Sequence, residues 1–153
     1  MKEKTRNVVV GNETYQLTKW DPRTAVWVRD VLFLAQLEKL GSLTPPPSNS
    51  GEPPKPAEEP TPAQLAQMLW ATGGPQLKHA EYSEIQNAAL RSASRQQAGQ
   101  YLPLLHASGS ILPQEPIADD AVAVERLVSE AIQFNLSPFF APAAASTQPQ
   151  TAR

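Results

Sequence analysis

The side chains best suited to hold a metal or move a proton near neutral pH are the two histidines, His79 and His106. Neither has a second ligand three or four residues away, the spacing that sets two ligands on one helix face, so neither starts a metal site. Paired carboxylates would suit general acid–base work, and the sequence holds Glu58-Glu59 and Asp119-Asp120. Residues adjacent in sequence point apart in a helix or an extended chain. The first pair therefore reads as a solvated linker and the second as a helix cap. Gly73-Gly74 has neither the preceding strand nor the following Lys-Ser/Thr of a phosphate loop. Ser108 and Ser110 flank Gly109 without forming a nucleophile elbow. With no cysteine there is no thiolate ligand, disulfide or cysteine nucleophile. These readings assign no catalytic residue, no cofactor site and no metal ligand, and the expectation is a protein that is not an enzyme.

Large apolar side chains are the chain's other resource: Trp20, Trp27, Trp70, Phe33, Phe134, Phe139 and Phe140. Eight of the 16 prolines fall between Pro45 and Pro62, so far fewer than the 153 residues can pack around a core. A small core leaves part of such apolar surface over for a partner.

The elements that must position these residues begin with a β-hairpin. Val8-Val9-Val10, the turn Gly11-Asn12 and the alternating run Glu13 to Thr18 place Val10 opposite Glu13 and Val8 opposite Tyr15. Val8, Tyr15 and Leu17 then share an apolar face that needs a cover. Asp21-Pro22 starts a helix and Gly41 stops it. Between them Trp27, Val31 and Leu34 form one apolar row, and Phe33, Leu37 and Leu40 another, around a narrow polar strip at Arg29 and Gln36. That is wider than one buried stripe, so the helix is either central to the core or shared with another chain.

Residues 43–62 read as a proline-rich linker; its Pro53-Pro54-Lys55-Pro56 has the spacing of a polyproline ligand but reads as linker. Thr61-Pro62-Ala63-Gln64 is a capping box opening a helix that ends at Gly73. Ser83-Glu84-Ile85-Gln86 predicts another, running on to Gly99. Gln100 to Ile117 predicts short packed turns, and Asp119 or Asp120 caps a last helix ended by Pro138. The fold expected is mainly α with a small N-terminal β-hairpin, an α+β arrangement with helices packed on the hairpin. It divides into residues 1–42, hairpin plus long helix; 43–62, linker; 63–140, a helical part packing on the first; and 141–153, a disordered tail.

Thirteen basic and 15 acidic residues give a net charge of −2, with no basic cluster, so nucleic acid is not an expected partner. The longest apolar run, Val31 to Ala35, is far below the ~20 residues of a membrane span, and the N-terminus lacks a signal-peptide apolar region. No membrane association is expected.

The opening Val8-Val9-Val10-Gly11-Asn12-Glu13-Thr14-Tyr15-Gln16-Leu17-Thr18-Lys19, the proline-started Leu-rich helix after it, and the run Ala131-Ile132-Gln133-Phe134-Asn135-Leu136-Ser137-Pro138-Phe139-Phe140 together resemble small tail assembly chaperones of tailed bacteriophages. The resemblance covers residues 6–41 and 83–141; the proline-rich insert departs from it. It implies a non-enzymatic protein of the host bacterial cytoplasm that binds the tape measure protein, keeps it soluble, helps bring tail tube subunits to it, and is absent from the mature virion. In some members a longer form arises by ribosomal frameshifting. Trp27, Val31, Leu34, Phe134, Phe139 and Phe140 are the contact residues this reading selects, the last two because they follow the final helix. A homo-oligomer in the absence of client is a further expectation. The alternative is a virion structural or adaptor protein retained in the tail.

Overall fold

A computed structural model describes residues 3–41 and 59–141. Of the expected linker, residues 43–58 lie outside the described residues, as do residues 142–153 of the expected tail. The fold is α+β: among the described residues there are four α-helices and one four-stranded antiparallel sheet with its strands in sequence order.

Strands β1 (Thr5–Val10) and β2 (Glu13–Thr18) form the expected hairpin in the expected register, Val10 opposite Glu13 and Val8 opposite Tyr15. Gly11 has φ +65° and Asn12 stays negative, a turn in which glycine is required at the first loop position. Tyr15 and Leu17 are fully buried and Val8 packs against the core, while Val9 on the other face is exposed. The alternation therefore sorts this hairpin as read.

Helix α1 (Pro22–Gly41) follows, with the Ala25 N–H on the Asp21 carbonyl. Helix α2 (Pro62–Gly73) opens with the capping box in full: the Gln64 N–H donates to Thr61 Oγ1 at 3.1 Å and the Thr61 N–H to Gln64 Oε1 at 2.8 Å. Its end presses on α1. A Cβ at Gly73 would stand 2.7 Å from the Leu32 carbonyl oxygen, so glycine is what allows the two backbones to approach this closely.

The next segment corrects the sequence reading. Helix α3 spans His79–Arg91, so Ser83 lies inside it rather than at its cap, and the chain does not stay helical to Gly99. Ala93–Gln97 is strand β3 and Gln100–Pro103 is strand β4. The cause is tertiary. β2 has an open edge, and β3 pairs with it through Tyr15 opposite Arg95 and Leu17 opposite Ala93. Ser92 fixes the changeover: its hydroxyl donates to the Ala89 carbonyl at 2.7 Å and accepts from the Trp20 indole at 3.1 Å, and its carbonyl accepts from the Thr18 N–H. Ala98 and Gly99, both at positive φ, make the turn into β4.

Beyond β4, Leu105 bridges to Ile111 and a 3-10 turn covers Pro116–Asp119, the packed turns expected there. Asp120 caps helix α4 (Ala121–Leu136) by accepting the Ala123 N–H at 3.0 Å. Pro138 sits in a closing 3-10 turn, Ser137–Phe140. α4 is the centre of the core: Leu127, Val128, Ala131, Ile132, Phe134 and Leu136 are all buried, against Val28 and Leu32 of α1, Ala66 and Leu69 of α2, and Ile85 of α3. Residues from both sides of the proline-rich stretch thus share one core.

Candidate partner-binding surface

The surface is built on α1, whose two sides have different tasks. Ala25, Val28, Leu32 and Ala35 recur at three- and four-residue steps and are buried. Among the described residues the opposite side has no such cover. Leu34 is 62% exposed, Leu37 61%, and Trp27, Val26 and Phe33 between 37% and 39%. Arg23, Asp30 and Glu38 are interspersed among them and exposed. A helix of 20 residues is about 30 Å long, so this is an extended strip rather than a spot.

Of the six residues selected from the sequence, Trp27 and Leu34 lie on this strip. Val31 is half-buried against the core at the strip's edge. Phe139 and Phe140 fold back onto the other flank of the same helix. The Arg29 guanidinium lies 4.6 Å from the Phe139 ring centroid while pairing with Asp30 at 2.9 Å, and Phe140 meets Phe33 with ring centroids 6.3 Å apart. Phe139 stays exposed, whereas Phe140 is half-buried. Trp27 and Phe33 are six residues apart, about 120° around the helix, so these two groups border the strip from opposite sides.

Phe134 is a correction. It is 1% exposed and offers nothing to a partner. It falls on the inner face of α4, where its ring carries Arg6 at 4.6 Å and Lys19 at 4.0 Å, and its carbonyl accepts a hydrogen bond from Lys19. Being aromatic and near Phe139 did not make it a surface residue, because the helical period turns it inward. The sequence reading also passed over Val26, and placed Phe33 and Leu37 in a row without separating exposed from buried. Only the partners of α1 decide which row is covered.

The groups weighed for chemistry are scattered. His79 and His106 are both exposed, at the start of α3 and in the loop after β4. Ser108 and Ser110 face each other at 3.2 Å in an exposed turn. Among the described residues no three histidine or carboxylate side chains converge as metal ligands. The strongest buried polar group is one the sequence reading missed. The Arg95 Nε donates to Glu115 Oε2 at 2.6 Å, with Glu13 at 3.8 Å, beneath the sheet beside Tyr15. The Glu115 hydrogen bond raises the Arg95 pKa above its ordinary value, and burial raises that of Tyr15, whose hydroxyl has no hydrogen-bond partner among the described residues. This ion pair ties the turn at Pro116 to β3.

No helix among the described residues is long and apolar enough to cross a membrane. The fold and surface thus define a small α+β protein with one helix half in the core and half open. No family model matches the chain, and no curated protein or solved structure matches it significantly.

Proposed function

We propose that this protein is a non-enzymatic tail assembly chaperone of a tailed bacteriophage. It binds the tape measure protein, keeps it soluble in the host bacterial cytoplasm, helps recruit tail tube subunits, and leaves before the virion is complete. The observation that carries the reading is the open strip of α1, with Trp27, Leu34 and Leu37 exposed on a helix whose opposite side builds the core. A long helical client presents amphipathic segments that aggregate unless their apolar side is covered, and an apolar groove or helix face is the usual receptor for them. Asp30, Arg23 and Glu38 within the strip keep the contact reversible, since mixed charge limits how much apolar area is sealed from water. The identity of the client comes from the sequence resemblance, and the strip supports only the mode of binding.

Co-expression with the tape measure protein tests the reading. The expected result is a client that stays in the soluble fraction only when the chaperone is present; unchanged client solubility overturns it. Mass spectrometry of purified particles separates the chaperone from a tail protein retained in the virion, which would be found in stoichiometric amount.

A further inference from the structure

We propose that, when no client is bound, a second copy of this chain covers the α1 strip, the two helices pairing antiparallel about a two-fold axis between Asp30 and Val31. The row that carries this is Arg23, Trp27, Leu34 and Glu38, all exposed. Its members are four, seven and four residues apart, so they lie within about 60° of one another on the helix. Read from its two ends the row is complementary to itself. Antiparallel pairing sets each Arg23 opposite Glu38 of the second copy and each Trp27 opposite Leu34 of the second copy.

Arg23 and Glu38 stand about 22 Å apart along their own helix and cannot satisfy each other there. Only a second helix running the other way brings the two charges together. A parallel pair would set like charges against each other at both ends, which is unfavourable. A two-fold interface must be self-complementary, and this row meets that condition in charge as well as in apolar size. Asp30 lies close to the proposed axis, where two carboxylates would repel. Each is already held by its own Arg29 at 2.9 Å, so what meets there is a pair of neutralised ion pairs. The proposal uses the strip assigned above and stands whether or not the client is a tape measure protein.

Sedimentation velocity on the full chain tests it. The wild type is expected to pass from monomer to dimer with rising concentration, and Leu34→Lys to remain monomeric. Arg23→Glu and Glu38→Arg each weaken dimerisation about tenfold. An equimolar mixture of those two variants restores it. Across one heterodimer the carboxylate introduced at position 23 meets the guanidinium introduced at position 38, and the unchanged Arg23 meets the unchanged Glu38. A wild type that is monomeric up to its solubility limit overturns the proposal and leaves the strip to the client alone. A dimer that survives Leu34→Lys, or a mixture that does not recover, overturns it equally. All substituted side chains are exposed, and thermal melts of the variants confirm that they fold.

Discussion

The Trp20 backbone N–H donates to Asn135 Oδ1 at 2.8 Å, joining the turn before α1 to the last helical turn of α4 across 115 residues of chain. The Asn135 amide returns a hydrogen bond to the Ala131 carbonyl at 2.9 Å, so the buried side chain uses its acceptor and a donor. Beside it, Lys19 bonds the Phe134 carbonyl. Together these fix where the strand-to-helix corner sits on the core, and hence how α1 is rolled and which of its sides faces outward.

Replacing Asn135 by Leu keeps the number of side-chain heavy atoms, though two methyls are bulkier than the amide, and removes both bonds, leaving a buried N–H on Trp20 with no acceptor. The expected cost is about 1–3 kcal/mol in urea unfolding, with the slope of the transition unchanged. A loss under about 0.5 kcal/mol, the range of an ordinary surface substitution, would mean that the bond fixes no part of the corner.

Ala98 is the one described non-glycine residue at positive φ, +51°, next to Gly99 at +80°. This is the two-residue turn in which Asn-Gly is favoured, and alanine there carries the steric cost of the left-handed conformation. Ala98→Asn is expected to stabilise the protein by about 0.5–1 kcal/mol, read as a higher urea midpoint. No change, or a loss, would show that the turn differs from this geometry in solution.

The same turn shows how far the sequence could be read. Gly11-Asn12 between a β-branched run and an alternating one announced the first hairpin, and Thr61-Gln64 announced α2, because in both cases the local chemistry and the final structure agree. Ala93-Ser94-Arg95-Gln96-Gln97 has no β-branched residue and follows a helix directly, so its local preference is helical; it becomes a strand only because β2 offers it an edge. Arg95 and Glu115, 20 residues apart, become partners only through that pairing. On α1 the excess of apolar residues was legible, and of the contact residues selected there Trp27 and Leu34 are exposed. Which flank would receive Phe139 and Phe140, and that Phe134 would be inside, depended on how α4 docks.

Tyr82 stacks on Trp70 at 5.2 Å between centroids and donates its hydroxyl to Glu125 at 2.8 Å. Burial, then the hydrogen bond to Glu125 and that carboxylate's charge, push its pKa up to about 12. A phenol whose pKa is raised in the native state binds its proton more tightly there than in the unfolded chain. Its contribution is therefore complete below the unfolded value of ~10 and is lost as pH rises through about 12. Stability is expected to fall between those limits, and Tyr82→Phe is expected to flatten the fall. A stability profile identical in the variant would mean that another group is responsible.

The two sides of α1 give opposite expectations for substitutions of the same residue type. Leu32 is fully buried beside Gly73, and Leu32→Ala should cost about 2–5 kcal/mol because the close-packed helices cannot collapse onto the space left. Leu37 is 61% exposed, so Leu37→Lys should change stability by no more than about 0.5 kcal/mol. Its effect is expected in client binding instead: a folded protein that keeps less of the tape measure protein soluble in co-expression. Both measurements are needed. If Leu37→Lys unfolds the protein, α1 is covered on that side by the chain itself. If it folds and still protects the client fully, the client does not bind through this strip, and the apolar side of α1 needs another occupant.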